Sequence, residues 1–192
     1  MINGYKSANP LALPANFIAM KKILETARCY VRELIHDDIA LVCQMNRDPD
    51  VMQYISNGKP QTDEYSTNRT LYFIDEYYAK HPGLGMWAVV HKEDEQFMGW
   101  ACLKHFEGDL IEVGYRLIKD YWGKGYATEV SKALIHYGFN TLSLDKIIGV
   151  AAENNTKSQH ILQKIGLSFL KEDFYHEIKV RYYQLLKQDY VV

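Results

Sequence analysis

A glycine-bearing loop between an apolar strand and a helix is the feature that most limits what this chain can fold into. The loop reads YWGKGYATE over residues 121–129, after the apolar run LIEVGYRLI at 110–118 and before a helical pattern at 129–139. The first N–H groups of a helix have no partner within it and carry the positive end of its dipole. Because glycine lets an anion approach the backbone, this arrangement predicts a phosphate site; the alternative is a tight turn with an unoccupied helix start.

Two common nucleotide-binding motifs do not fit this loop. A P-loop needs a glycine five positions before the Gly-Lys pair and a Ser or Thr directly after it, where this chain has Ile118 and Gly125. A dinucleotide-binding fingerprint needs a third glycine at the position of Thr128. The predicted phosphate therefore belongs to a different class of ligand.

Three apolar runs, the last of them ending at this loop, predict an antiparallel meander. They cover residues 86–92, 97–106 and 110–118 and are joined by the polar turns EDEQ and EGD. The other predicted elements are, in chain order, a strand at 23–34, helices at 36–45, 48–55, 62–79 and 129–139, a strand at 146–152, a helix at 158–165 and two closing strands. Strands and helices in this order predict a mixed α/β (α+β) fold.

The length and composition of the chain predict one ordinary globular domain. Its 192 residues contain no Pro- or Gly-rich linker, so we expect a single domain at 23–192 after an N-terminal extension at 1–22. Apolar residues make up 47%, and a net charge of −2 without a basic stripe argues against a nucleic-acid partner. No apolar run approaches the ~20 residues that cross a bilayer, so no membrane partner is expected.

The cysteines and histidines give no signal of a disulfide framework or a metal site. Cys29, Cys43 and Cys102 are widely spaced and form no C-x-x-C pair. The seven histidines form no H-E-x-x-H or comparable cluster, so no metal is expected. These features predict a cytoplasmic protein, and we expect it to be a monomer or a homodimer.

Two sequence blocks together resemble the GNAT superfamily of N-acetyltransferases. The first, IEVGYRLIKDYWGKGYATE, fits the loop pattern R/Q-x-x-G-x-G/A at Gly125 and Ala127, with Trp122 departing from its first position. The second, ENNTKSQHILQKIGL, matches at Asn155, Ser158, Lys164, Gly166 and Leu167. The resemblance covers roughly residues 24–188 and is to the branch that includes the ribosomal-protein-alanine and spermidine acetyltransferases.

The resemblance implies a mostly antiparallel sheet, flanked by helices, in which acetyl-coenzyme A lies between two splayed parallel strands at 110–118 and 146–152. It also implies that the backbone groups of Tyr115 and Leu117 bind the pantetheine arm. Gly114, inside the first of these two strands, suggests a bulge or a close backbone approach, or is simply a packing glycine. The implied pyrophosphate-binding residues are Gly123, Lys124, Gly125, Tyr126, Ala127 and Thr128, and Trp122 is a further coenzyme-binding residue.

Acetyl transfer to an amine needs a base, and Glu112 is the candidate. A carboxylate within a largely apolar strand is costly unless it faces water or a charged partner. Facing the cleft resolves this cost, and so does an ion pair with a neighbouring strand, for which Lys104 is the candidate partner. Both interpretations of Glu112 stay open at this point.

The second block supplies candidates for holding the coenzyme and for protonating its thiolate. Asn155 would hold the coenzyme arm, although capping of a helix explains it equally well, and Thr156 with Gln159 forms a possible capping box. Many members of the superfamily carry a tyrosine acid seven residues after this asparagine, where this chain has Leu162. Ser158 is therefore the candidate acid, with a water or another tyrosine as alternatives.

The function that the resemblance implies is transfer of an acetyl group from acetyl-coenzyme A to a primary amine, by direct attack in a ternary complex. The acceptor would be a protein N-terminus or a small amine. A non-catalytic domain that binds or senses acyl-coenzyme A is the alternative, since it would keep the phosphate site without the chemistry.

Overall fold

The computed structural model describes residues 21–56 and 58–191, which form one eight-stranded sheet with helices packed on both faces. The strands are β1 (Lys22–Glu25), β2 (Cys29–Glu33), β3 (Gly85–His91), β4 (Phe97–His105), β5 (Ile111–Leu117), β6 (Lys146–Ala152), β7 (Ser168–Tyr175) and β8 (Ile178–Leu186). The helices are α1 (Ile39–Arg47), α2 (Pro49–Met52), α3 (Asp63–Tyr72), α4 (Tyr78–Lys80), α5 (Tyr126–Asn140) and α6 (Thr156–Lys164). A π-helical segment, Phe73–Tyr77, connects α3 to α4.

The sheet has the strand order β1-β2-β3-β4-β5-β6-β8-β7. Strands β5 and β6 are parallel, and the other neighbouring pairs are antiparallel. The predicted mixed, mostly antiparallel sheet with one parallel pair is therefore confirmed. Only Glu112 and Ile148 are in register between β5 and β6 among the described residues, so the two strands diverge after Glu112.

The predicted single strand at 23–34 is wrong, because the chain turns back within it. Strands β1 and β2 form an antiparallel hairpin in which Glu25 lies opposite Tyr30. The turn is closed by Thr26, whose Oγ1 accepts a hydrogen bond from the N–H of Cys29 at 3.0 Å. A threonine side chain that satisfies a backbone donor locally competes with a continuing strand. The apolar residues on either side conceal this turn in the sequence.

The predicted meander is confirmed as β3, β4 and β5, and the helices begin slightly earlier than expected. Helix α5 begins at Tyr126 rather than at residue 129, and α6 begins at Thr156 rather than at 158. The predicted helix at 62–79 is present as α3, the π segment and α4 in succession. Most of the predicted N-terminal extension, residues 1–20, lies outside the described residues.

Each face of the sheet has its own hydrophobic core. One face, called here the α5/α6 face, packs against Val130, Leu134, Ile135 and Phe139 of α5 and Leu162 of α6. The opposite face, called the α1/α3 face, packs against Leu41 and Val42 of α1 and against Phe73 and Tyr77 of the π segment. The residues of β5 alternate between these two environments, as successive side chains of a strand must.

Gly114 lies within a regular part of β5, so the predicted bulge there is wrong. The register of β5 with β4 is continuous from Leu117 opposite Gly99 to Ile111 opposite His105. A Cβ atom on Gly114 would lie 3.1 Å from the Sγ of Cys102, which is its register partner on β4. The glycine therefore makes room for a cysteine side chain, which is the packing interpretation.

Candidate active site

The gap between β5 and β6 is lined by backbone groups of β5 that do not pair with β4. The N–H of Ile118 donates to the carbonyl of Met98 at 2.9 Å, so Leu117 and Gly99 form a pair without hydrogen bonds to each other. The peptide groups of Leu117 therefore point away from β4 and toward the gap, and those of Tyr115 do the same two residues earlier. The indole N–H of Trp122 donates to the carbonyl of Leu117 at 2.7 Å, which ties the following loop to the end of β5.

The glycine loop leaves the start of α5 open to an anion. Gly123 and Gly125 have φ angles of 72° and 83°, a left-handed conformation that suits glycine. Gly125 is the residue before the helix, and no side chain caps the first turn. The first helical hydrogen bond runs from the N–H of Glu129 to the carbonyl of Gly125, so the amides of residues 126–128 have no acceptor within the helix.

Arg28, from the turn between β1 and β2, lies along this loop. Its Nη1 donates to the carbonyl of Lys124 at 3.0 Å, and its Nε donates to Glu129 at 2.7 Å. Its guanidinium lies 4.1 Å from the ring centre of Tyr126. Burial raises the pKa of the Glu129 carboxyl, but hydrogen bonds from Thr26 and Arg28 outweigh that effect and lower the pKa. Arg28 thus fixes the loop and neutralises a carboxylate beside it.

Glu112 lies on the α1/α3 face in an ion pair with Lys104. The Nζ of Lys104 is 2.6 Å from Oε2 of Glu112, and the two side chains are only 13% and 14% exposed. Burial lowers the pKa of Lys104, but the charge and hydrogen bond of Glu112 outweigh this and raise it. The ion-pair contact expected from the sequence is therefore present. Oε1 of Glu112 has no hydrogen-bond partner within the described residues, so one oxygen is free to interact with a ligand.

Tyr115 and Ser158 meet on the opposite, α5/α6 face. The hydroxyl of Tyr115 donates to Oγ of Ser158 at 3.3 Å, joining β5 to the helix that follows β6. Burial raises the pKa of Tyr115 more than the hydrogen bond with Ser158 lowers it, so the phenol is protonated at neutral pH. Two hydroxyl groups therefore lie on one side of the gap between the strands, and a carboxylate lies on the other.

The identity of the family follows from comparison with known proteins. Residues 28–168 match the acetyltransferase (GNAT) domain family. The chain belongs to the GNAT family of acetyltransferases. It is accordingly an N-acetyltransferase that uses acetyl-coenzyme A as the acetyl donor.

Individual relatives agree with this assignment to the GNAT family. An uncharacterized N-acetyltransferase, p20, from Bacillus licheniformis is 30% identical over 177 residues, which are 87% of this chain and 97% of that protein. The spermidine N(1)-acetyltransferase of Escherichia coli K12 is 26% identical over 158 residues, covering 77% of this chain and 76% of that enzyme. A GNAT acetyltransferase structure from Bacillus anthracis superposes with a TM-score of 0.71 at 26% identity, covering 86% of this chain and 98% of that one.

Asn155, in the second block of the GNAT pattern, has a structural role as the cap of a helix. Oδ1 of Asn155 accepts a hydrogen bond from the N–H of Ser158 at 3.1 Å and so caps α6. The predicted capping box of Thr156 with Gln159 is wrong because Asn155 already occupies the cap position. The side chain of Gln159 instead donates to the carbonyls of Ala152 and Glu153 at the end of β6.

Leu162, at the position where many GNAT enzymes have a tyrosine, belongs to the core. It is 2% exposed, and its Cδ2 packs against the backbone of Gly149 on β6. A larger side chain at this position would overpack the contact between α6 and β6. The nearest hydroxyls to consider are therefore those of Ser158 and Tyr115.

Two features of the GNAT site were missed in the sequence. Arg28 is 96 positions before Lys124 and belongs to a turn that the sequence did not reveal. Tyr115 was assigned only a backbone role, although its hydroxyl reaches Ser158. The alternation of side chains along β5 places Tyr115 on the same face as Val113 and Leu117. This alternation is the sequence signal that could have indicated a role for the Tyr115 side chain.

The remaining groups that could carry other chemistry are buried or dispersed. Cys29, Cys43 and Cys102 are free thiols in the interior. Within residues 21–56 and 58–191, no three His, Cys, Asp or Glu side chains are grouped so that they could hold a metal ion. In the same part of the chain, no helix is long and apolar enough to cross a bilayer.

Proposed function

We propose that this GNAT enzyme transfers the acetyl group to a primary amine by direct attack in a ternary complex. The divergence of β5 from β6, with a carboxylate on one face and two hydroxyls on the other, is the observation that carries the proposal. Acetyl-coenzyme A supplies the activated thioester. The acceptor is a protein N-terminus or a small amine.

The groups assigned to binding the coenzyme fit its chemistry. The amides of residues 126–128 and the flexible loop at Gly123 and Gly125 suit a pyrophosphate, because they offer unpaired donors at a helix start. The peptide groups of Tyr115 and Leu117 face the gap and suit the amides of a pantetheine arm. Asn155 caps α6 through Oδ1 and keeps its Nδ2 group to donate to the same arm.

Glu112 is the proposed general base. It lies on the α1/α3 face, from which an amine can reach the gap, and its free oxygen accepts the ammonium proton directly or through one water. The amine nitrogen then attacks the acetyl carbon and loses its second proton to water, and the carbon–sulfur bond breaks to release the thiolate. Lys104 holds Oε2 of Glu112 at 2.6 Å and so fixes the position of the carboxylate, whose other oxygen stays available to the ammonium.

Ser158 is the proposed proton donor to the departing thiolate, and Tyr115 is hydrogen-bonded to Ser158. A serine hydroxyl alone is a weak acid, but here it accepts a hydrogen bond from a phenol at 3.3 Å. This second hydroxyl polarises the first and can replace the proton that it gives up. The pair stands in for the tyrosine that Leu162 replaces.

Turnover of acetyl-coenzyme A tests the proposed function. Purified protein is mixed with N-terminal peptides, polyamines and aminoglycosides, and both thiol release and acetylated product are measured. We expect one class of amine to give acetylated product. Tight coenzyme binding without product from any amine would instead identify the protein as an acyl-coenzyme A sensor.

Ser158→Ala is expected to slow single-turnover acetyl transfer by about one to two powers of ten, the value of one hydrogen bond to a developing charge. The cap of α6 uses the backbone N–H of Ser158, which alanine keeps, so the unfolding temperature should remain unchanged. Tyr115→Phe is the matched variant, and a double variant should be no slower than Ser158→Ala. Wild-type single-turnover rates for Ser158→Ala would leave the serine with a structural role only.

Arg28→Met is expected to raise the Kd for coenzyme A about threefold to tenfold, because it leaves the charge of Glu129 beside the loop. The effect is modest because Arg28 is 43% exposed. Adding Glu129→Gln should restore part of the affinity by removing that charge. Equal Kd values for wild type and Arg28→Met, measured by calorimetry, would contradict the predicted role of Arg28.

A further inference from the structure

The α1/α3 face beside Glu112 carries an excess of positive charge. Lys104 of β4 and Arg116 of β5 lie on the same face of the sheet as Cys102, and Arg69 of α3 acts electrostatically on all three residues. The three cations together form what is called here the cationic cluster. Lys104 is paired with Glu112. Neither arginine forms an ion pair with a carboxylate within the described residues, so three cations face one carboxylate.

Arg116 is the member of the cationic cluster that is hardest to explain by folding alone. Its Nη1 donates to Oδ1 of Asn46 at 2.6 Å, and its guanidinium lies 4.9 Å from the ring centre of Trp100. Its Nε is buried without a hydrogen-bond partner. The guanidinium of Arg116 thus donates to a neutral amide, which does not compensate the charge of a largely buried cation.

The environment of Arg116 works against its positive charge. Burial first, and then the nearby charge of Arg69, lower the pKa of Arg116 to about 10. Asn46 cannot shift toward the guanidinium freely, because it is 3% exposed and also donates to Ser66 at 3.0 Å. A bound anion would relieve both the desolvation of Arg116 and its repulsion by Arg69.

The cationic cluster lies where an acceptor would bind. Arg116, Gly114 and Glu112 share one face of β5, with Trp100, Cys102 and Lys104 as their register partners on β4. Arg116 is four positions after Glu112 in the strand, which is ~13 Å along the backbone. Arg69 of α3 acts electrostatically on Lys104, Cys102 and Arg116, so it belongs to the same charged region.

We infer that the acceptor of this enzyme is an amine that also carries an anionic group, a carboxylate or a phosphate, which binds to Arg116 and Arg69 while its amine faces Glu112. This inference rests on the proposed function and adds the chemical class of the substrate. Guanidinium groups bind both anions through paired hydrogen bonds. The same charges disfavour a polyamine, whose additional ammonium groups would meet the cationic cluster.

Matched acceptors test this preference. Each ω-amino carboxylate of three to six carbons is compared with its neutral carboxamide. The aminoalkyl phosphate of similar length and spermidine are measured as well. Peptides with Asp or Asn after the N-terminal residue repeat the comparison for protein N-termini. We expect kcat/KM for the best anionic acceptor to exceed that of its neutral partner by about tenfold to a hundredfold. Comparison of kcat/KM for the carboxylate acceptors with kcat/KM for the phosphate acceptors identifies which anion is preferred.

Substitutions then assign the preference to the cationic cluster. Arg116→Met should reduce the ratio of kcat/KM for anionic acceptors to kcat/KM for neutral ones to near one, and Arg116→Lys should keep part of the preference. Arg69→Met should also reduce this ratio, and because Arg69 is exposed, its substitution disturbs the core less. Arg47→Met is the control, because it removes the same charge from an exposed ion pair with Asp63. It should leave the ratio unchanged.

The outcomes separate the substrate class from the proposed function. Acetylation of neutral amines at rates equal to those of their anionic partners would overturn the inference and leave the acetyltransferase function intact. If no amine is acetylated, the proposed function fails, and binding of the same acceptors to the coenzyme-bound protein is measured by calorimetry. Equal binding of anionic and neutral amines, or binding unchanged in Arg69→Met, would then overturn the anion site and leave Arg116 as a support for Asn46.

Discussion

A Gly125→Asp enzyme is expected to lose acetyl-coenzyme A binding while keeping its fold. A Cβ atom at this position would lie 3.5 Å from Nη2 of Arg28, an ordinary contact distance. Aspartate tolerates the left-handed conformation better than most residues and is a favourable cap for the helix that begins at Tyr126. Its charge, however, would lie at the helix start proposed to bind pyrophosphate. Like charges about 4 Å apart repel by roughly 4 kcal/mol near a protein surface, so the Kd should rise at least about 100-fold.

Gly125→Asn is the matched control for this substitution. Asparagine has nearly the same shape, the same tolerance of a left-handed conformation and the same capping ability, but no charge. We expect it to weaken binding far less than aspartate does. Both variants are compared by calorimetry with coenzyme A and by thermal unfolding. A folded Gly125→Asp protein with wild-type affinity would remove the assignment of the loop as the pyrophosphate site.

Glu112→Gln is expected to lower the rate of acetyl transfer by ~10² to 10⁴-fold, the usual contribution of a general base. Glutamine keeps the size of the side chain and loses its ability to take a proton. Coenzyme A affinity should remain within about a few-fold of wild type, because Glu112 lies on the face opposite Tyr115 and Ser158.

The ion pair with Lys104 requires a second variant, because Glu112→Gln leaves a largely buried cation without its carboxylate. Glu112→Gln/Lys104→Met removes that unpaired charge. If the loss of activity comes from the missing base, the double variant should remain as slow as the single one. Recovery of the rate in the double variant, or a wild-type rate of acetyl transfer for Glu112→Gln, would show that the carboxylate serves only to pair with Lys104.

Much of the fold could be predicted because its signals are local. The apolar runs at 86–92, 97–106 and 110–118 are strands, since alternation and polar turns depend only on near neighbours. The hairpin of β1 and β2 was missed because a hydrogen bond from the N–H of Cys29 to the side chain of Thr26 closes a turn within an otherwise continuous apolar pattern. The bulge expected at Gly114 is absent because its partner Cys102 fills the space of the missing side chain.

The sequence by itself determined the glycine loop, the presence of a helix after it and the order of the elements along the chain, because backbone hydrogen bonding and conformational freedom are properties of short segments. Only the tertiary structure decided which side chains meet. Four contacts around the site join different elements of the fold: Lys104–Glu112, Tyr115–Ser158, Arg28–Glu129 and the hydrogen bond of Arg116 with Asn46. Such contacts depend on strand register and on which face of the sheet each residue occupies. A shift of one residue in register would move every side chain of a strand to the other face, so the charges around the gap are set by the packing of the whole sheet.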